Sequence, residues 1–247
     1  MHDLRGTVLS DEIQVVSRAS AAQNRGFEAS LFDRFFWMYA LLRERFFCDH
    51  TTTIIESLWR GEPPAGTRLL EVGCGPGFYT CRLAERFKQI DVTGLDSSKR
   101  LLGHAKSRAC SRLLSNCEFV HGNFLSLQQF SSAFDNVIAS RIFMVASPME
   151  VALAQIYSSL KPGGKCFIAE SRSALRAKIP LFILWFLARS VHLWTNEVTD
   201  YREPDQAVVL SAAQFDSMIS SQPWTKIRRW QDAHYHYAVC ERPSRAS

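Results

Sequence analysis

From Arg68 onward the chain alternates short apolar runs with helical stretches, and that rhythm constrains its fold more than any other feature. RLLEVG (68–73), IDVTGLD (90–96), CEFVHG (117–122), FDNVIAS (134–140) and GKCFIAE (164–170) read as strands. Helical stretches at 79–87, 97–110 and 148–160 lie among them, the last stopped by KPGG. Strands linked by helices need crossovers, so they build a parallel sheet with helices on both faces: an α/β class. The end of the chain breaks the rhythm. Residues 211–220 read as a helix starting at a serine cap, and WTKIRRW (224–230) and AHYHYAVC (233–240) as strands two residues apart. So tight a link forces an antiparallel pair.

The first quarter has a different character. Residues 27–47 are dense in aromatics, and Phe32, Phe35, Phe36 and Tyr39 recur at three- and four-residue steps on one helical face. A second helix at 51–59 ends before Gly61 and the Pro63–Pro64 break. This divides the chain into a helical lid or cap at 1–62 and a main domain at 63–247, with a lid-like insertion at about 171–210.

Composition excludes several classes. At 47% hydrophobic and 21% charged residues the chain matches an ordinary globular protein that needs no staples. The net charge of +5 comes from scattered residues and not a basic stripe, so no nucleic-acid partner is expected. Seven cysteines without a CxxC pair suggest neither zinc nor a redox dithiol, but reduced thiols in a reducing compartment. The first residues lack the charged-then-apolar pattern of a secretion signal, so the expected location is cytoplasmic. IPLFILWFLA (179–188) falls short of the ~20 apolar residues a spanning helix needs. It is either buried or lies against something apolar.

The chemistry rests on residues 71–77, EVGCGPG, which close the first strand and open the first helix. Glycines there allow a sharp turn and let a ligand approach bare backbone next to unpaired helix N–H groups. A dinucleotide site would space them GxGxxG; here the third glycine falls one residue early and Phe78 stands where it would be. The run LLEVGCGPGFYT resembles the first motif of class I S-adenosylmethionine-dependent methyltransferases, (D/E)xGxGxG after the first strand. LKPGGKCFIAE resembles the turn and fifth strand of the same family, so the match spans about residues 68–170. The resemblance implies a Rossmann-like seven-stranded sheet of order 3-2-1-4-5-7-6 with the last strand antiparallel, consistent with the terminal hairpin.

It also implies S-adenosylmethionine as the cofactor, S-adenosylhomocysteine as the product, and a set of site residues. Glu71, Gly73, Cys74, Gly75 and Gly77 would face the methionine half. Asp96, 19 residues after Gly77, would grip the ribose hydroxyls, with Ser97 beside the adenine. The family places an aspartate near the adenine amine, where this chain has Asn123; Phe124 would cover an adenine face. Ser140 and Arg141, at the end of the fourth strand, would meet the cofactor's amino-acid end and the acceptor.

In-line methyl transfer demands alignment and exclusion of water, and a base only when the acceptor is a neutral alcohol or a carbon. The acceptor walls are expected at the carboxyl end of the sheet: Phe36 and Tyr39 from the lid, then Arg141, Phe143 and Tyr235. His234 is the candidate base, with Asp232 as a possible orienting partner. The pair His234-x-His236 lacks a third ligand, so no metal site is expected. The density of Phe, Trp and Leu at 27–47 and 179–194 points to a small or medium-sized hydrophobic acceptor, such as an aromatic secondary metabolite. A membrane lipid or quinone, with peripheral membrane contact through 179–194, is the alternative acceptor. Three further readings are a non-catalytic interaction module, an aminopropyl transferase and a nicotinamide or flavin site. The fourth strand ends in ASRIF, without the (D/N)PP(Y/F) run of the family's base-amino methyltransferases.

Overall fold

A computed structural model gives the fold and describes residues 48–244 apart from 60, 145, 147 and 173–208. The two aromatic stretches expected to form a lid, including Phe36, Tyr39 and the run at 179–194, therefore lie outside the described residues. No helix among the described residues is long and apolar enough to cross a membrane.

In chain order the elements are α1 (Thr51–Leu58), β1 (Arg68–Val72), α2 (Phe78–Arg86), β2 (Asp91–Asp96), α3 (Lys99–Ser111) and β3 (Cys117–His121). They continue with β4 (Phe134–Ser140), α4 (Met149–Ser159), β5 (Leu160–Ser171), α5 (Ala212–Ser220), β6 (Lys226–Gln231) and β7 (Tyr235–Glu241). One seven-stranded sheet results, in the order β3-β2-β1-β4-β5-β7-β6. The first five strands pair in parallel, and β7 runs antiparallel to both β5 and β6. The strand order reverses at β1 and β4, and the crevice beyond their carboxyl ends is where open α/β sheets bind ligands.

The central strands are buried on both faces, which is why VIA in β4 is apolar without alternation, whereas the edge strand β6 is largely exposed. Leu70, Val72 and Ile168 meet α4 and α5 through Leu153, Ile156, Phe215 and Ile219. On the opposite face Leu69, Phe167 and Tyr235 meet α1 and α2 through Ile54, Leu58, Tyr79 and Leu83. Helix α5 begins as read, at Ser211, in a capping box with Gln214.

Two boundaries differ from expectation. Strand β5 starts four residues early, at Leu160, because KPGG itself pairs: Gly163 takes φ +77° and donates its N–H to the Arg242 carbonyl. The last hairpin has a three-residue link, 232–234, and not two. Asp232 is the cause. Its Oδ1 accepts the N–H groups of His234 (2.6 Å) and Tyr235 (2.7 Å), folding the tip before the ladder resumes.

Gly94, in the middle of β2, sets how closely α2 packs. A Cβ there would lie 2.8 Å from Thr80 Oγ1, 2.9 Å from Cys74 Sγ and 3.0 Å from Phe119 Cδ1. Gly94→Val should therefore destabilise the fold by about 1–3 kcal/mol through overpacking, read as a lower denaturant midpoint with an unchanged slope.

Candidate cofactor and acceptor site

The turn between β1 and α2 adopts a backbone that favours glycine at three alternating positions: φ is +67° at Gly73, +53° at Gly75 and +73° at Gly77. Space excludes side chains as well. A Cβ on Gly73 would sit 2.7 Å from Ile142 Cγ2, and one on Gly77 would sit 2.9 Å from both Ala105 Cβ and Phe119 Cε1. The Cys74 N–H bonds to the Leu95 carbonyl at 3.0 Å, so the turn is tied to β2, and the Cys74 side chain is fully buried below it.

Glycine at the N-cap of α2 offers no side chain to accept the helix's first N–H groups. Glu71, almost fully buried on β1, takes that role. Its Oε2 accepts from Thr80 N at 2.7 Å and from Thr80 Oγ1 at 2.5 Å, placing an acidic side chain at the helix N-terminus. The glycine turn is thus held from beneath by a carboxylate that fastens helix to strand.

Asp96 ends β2 on the other side of the turn. Its Oδ2 accepts the Gly75 N–H at 2.7 Å and its Oδ1 the Ser98 N–H at 2.9 Å. In a phosphate-binding loop a turn N–H like that of Gly75 would face an anion. Here a carboxylate occupies that direction, which disfavours a pyrophosphate and suits hydroxyl groups, for which each carboxylate oxygen keeps further lone-pair capacity. Ser97 is exposed, and its neighbour Ser98 is the side chain that caps α3. Asn123 folds its own loop, with Oδ1 accepting Leu125 N at 2.9 Å, and Phe124 is half-buried against the core.

At the carboxyl end of β4, Ser140 Oγ is buried and has no hydrogen-bond partner among the described residues. A buried hydroxyl without a partner, on the strand beside β1 and its glycine turn, suits a bound polar ligand such as the amino-acid end of S-adenosylmethionine. Arg141 follows in the left-handed region at φ +58°, its N–H bonded to the Ala169 carbonyl at 2.8 Å. Its positive charge favours the ionised forms of both the Glu170 carboxyl and the Tyr235 hydroxyl. Burial raises the Tyr235 hydroxyl above its usual pKa, with Arg141 opposing the shift. The Phe143 side chain is fully buried in the core, while its N–H points to Glu170.

The strand register brings together residues that the chain keeps far apart. Ser171 pairs with Tyr235 and Ala169 with Tyr237, so the start of β7 stands at the active end of the sheet. His50 packs edge-on against Tyr235 (4.5 Å between ring centroids) and Tyr237 (5.5 Å). Tyr79, the second residue of α2, accepts the His50 N–H at 3.3 Å and donates to the Cys48 carbonyl at 3.4 Å. The chain entering the first described helix is thereby pinned to the glycine turn. His236 faces the other way, stacked on Phe215.

His234 sits half-buried at the hairpin tip, where its carbonyl accepts the Arg172 N–H at 2.8 Å. The Asp232 carboxylate binds the His234 backbone and the Tyr237 hydroxyl (Oδ2, 2.7 Å). Burial alone would raise this carboxyl, but the His234 N–H, the Tyr237 hydroxyl and the Tyr235 N–H together hold it below the usual range. The same burial and hydrogen bond push the Tyr237 hydroxyl well up. The sequence did not single out His50, Tyr79, Tyr237 or Glu170. Only Glu170 carried a usable signal, as the acidic residue near the end of an apolar strand.

The comparisons with known proteins agree with this geometry. A family model described as a methyltransferase domain matches residues 64–233. Over 117 residues the chain is 32% identical to a demethylmenaquinone methyltransferase of Oceanobacillus iheyensis, covering 47% of this chain and 49% of that protein. It is 33% identical over 97 residues to a trans-aconitate 2-methyltransferase of Deinococcus radiodurans, covering 39% and 35% respectively. The chain thus spans half or less of the length of these curated relatives. Among solved structures, a putative S-adenosylmethionine-dependent methyltransferase of Methanococcus maripaludis shares the fold at TM-score 0.57 and 16% identity, covering 88% of this chain and 93% of that one. An S-adenosylmethionine-dependent methyltransferase of Aquifex aeolicus shares it at TM-score 0.56 and 15% identity, covering 81% and 92%. With the family model matching well over half its length, the chain belongs to the class I S-adenosylmethionine-dependent methyltransferases.

Proposed function

We propose that this chain transfers the methyl group of S-adenosylmethionine to a nucleophilic oxygen, nitrogen or carbon of a small or medium-sized hydrophobic acceptor. The observation that carries this reading is the convergence of Arg141, His50, Tyr79 and Tyr235 where β4 and β5 end and β7 begins, beside the glycine turn. When bound, the cofactor supplies a sulfonium-activated methyl group. The chain's own residues do the rest. Asp96 and the glycine turn hold the cofactor's nucleoside and methionine portions, and Ser140 its polar end. The packed aromatic rings beneath the site exclude water from it. Arg141 and Tyr235 are its polar groups, suited to an acceptor oxygen that is acidic or gains negative charge. If the acceptor is a neutral alcohol or a carbon, His50 and His234 are the bases to test at this end of the sheet.

A quinone or lipid acceptor is a second reading, favoured by the similarity to demethylmenaquinone methyltransferases. Incubation of the protein with methyl-labelled cofactor and fractionated cell extract separates these. Label in an organic-soluble small molecule supports the first reading, and label in a membrane lipid or quinone the second. Label confined to protein or nucleic acid would overturn both. With an acceptor identified, Arg141→Ala should raise its KM roughly tenfold, the worth of about one charge-assisted hydrogen bond, while cofactor affinity stays within a few-fold. A fall in cofactor affinity alone would place Arg141 at the cofactor and not the acceptor.

A further inference from the structure

We infer that Glu170 is a positioning residue of the cofactor site: its carboxylate holds the turn at 142–144, and through Ile142 that turn packs against Gly73 and sets the position of the glycine turn. The inference rests on the S-adenosylmethionine reading of the glycine turn. Glu170 is almost fully buried near the carboxyl end of β5. Its Oε1 accepts the Phe143 N–H at 2.9 Å, and the N–H groups of Ile142 and Met144 are also directed at the carboxylate. The Phe143 hydrogen bond, with the Ile142 and Met144 N–H groups close beside it, fixes the path of the chain as it leaves β4. Ile142 lies in that path, and its Cγ2 fills the place a side chain on Gly73 would take, 2.7 Å from the Cβ position. Glu170 and the glycine turn are therefore in mechanical series, although nearly a hundred residues separate them in the chain.

Burial pushes the Glu170 carboxyl up to about 7, opposed by the three N–H groups and by Arg141. The groups that face it are Arg141 at the end of β4 and His236, its register partner on β7. Arg172 and Asp216 lie close to His236, whose pKa burial and Arg172 lower. The ionised carboxylate is a better acceptor for three N–H groups than the protonated one, so cofactor binding should strengthen as pH rises through about 7. The folded chain also holds a proton between about 4.5 and 7 that the unfolded chain has released, so stability should fall as pH rises through that window.

The test is calorimetric titration of S-adenosylmethionine into the full chain and its Glu170→Gln variant across pH values bracketing 7, with unfolding curves at each. The wild type should gain about fivefold in affinity with rising pH, one hydrogen bond's worth, and Glu170→Gln should lose that gain. The cofactor's α-amino group and His236 titrate in both proteins, so the difference between the two profiles belongs to Glu170. Ile142→Ala should weaken binding, and adding Glu170→Gln to it should weaken binding little further, because the two act in series. A Glu170→Gln variant that keeps the wild-type pH profile of affinity, or effects that simply add, would overturn the inference and leave Glu170 a core residue. Failure of the wild type to bind the cofactor at any pH would instead overturn the cofactor reading together with the inference built on it.

Discussion

Replacing Asp96 with alanine should weaken S-adenosylmethionine binding at least roughly 100-fold in calorimetry. Hydrogen bonds to a charged group contribute about 1.5–3 kcal/mol each, and two ribose hydroxyls would lose their acceptor at once. The loss has a second source. The same carboxylate fixes the Gly75 N–H and the Ser98 N–H, so its removal loosens the turn from the start of α3. Asp96→Asn should lose less, because an amide oxygen still accepts. The two variants separate the causes. If the ribose contact dominates, both fold with near wild-type unfolding midpoints and differ in affinity. If turn geometry dominates, Asp96→Ala should also lower the midpoint. Unchanged affinity in Asp96→Ala would remove the ribose from this position.

The largest stability effect is expected at Glu71. Glu71→Ala leaves the Thr80 N–H and hydroxyl without their acceptor in the core and takes an acidic side chain from the N-terminus of α2. Stranding buried donors costs about 1–3 kcal/mol each, so a loss of about 3 kcal/mol is expected. For a domain of this size that lowers the unfolding temperature by about 6–12 °C. Glu71→Gln keeps an acceptor oxygen in place and should recover most of the loss. A residue whose only task was to touch the cofactor would behave otherwise: Glu71→Ala would bind poorly yet unfold at the wild-type temperature. Thermal unfolding without cofactor distinguishes the two.

Both predictions concern residues that the sequence picks out through the glycine motif, and the structure adds different detail to each. The motif placed Glu71 and Asp96 at the ends of the first two strands, where they stand. It could not show that Glu71 reaches across to Thr80, since that depends on the angle at which α2 leaves the turn. Cys74 and Phe143 illustrate the same limit. Each lies next to the site in the chain, yet its side chain is fully buried, because the local backbone sends it inward. The three-residue tip of the last hairpin was missed for a related reason. An Asp side chain that hydrogen-bonds its own backbone reshapes a turn without altering the apolar pattern on either side.

The sequence by itself determined the alternation of strands and helices, the antiparallel ending and the glycine turn. These depend on information carried within a few residues: the apolar period, the caps, and a positive φ that only glycine adopts cheaply. Only the tertiary structure decided which side chains meet at the site. His50, Tyr79, Arg141, Glu170 and Tyr235 come from five separate segments, and they converge because β7 pairs with β5 in a register that sets Tyr235 opposite Ser171. A shift of that register by one residue would turn Tyr235 and His236 to opposite faces without changing any local pattern. The register is set by the packing of both faces of the sheet at once, a property of the whole fold that no short stretch of the chain contains.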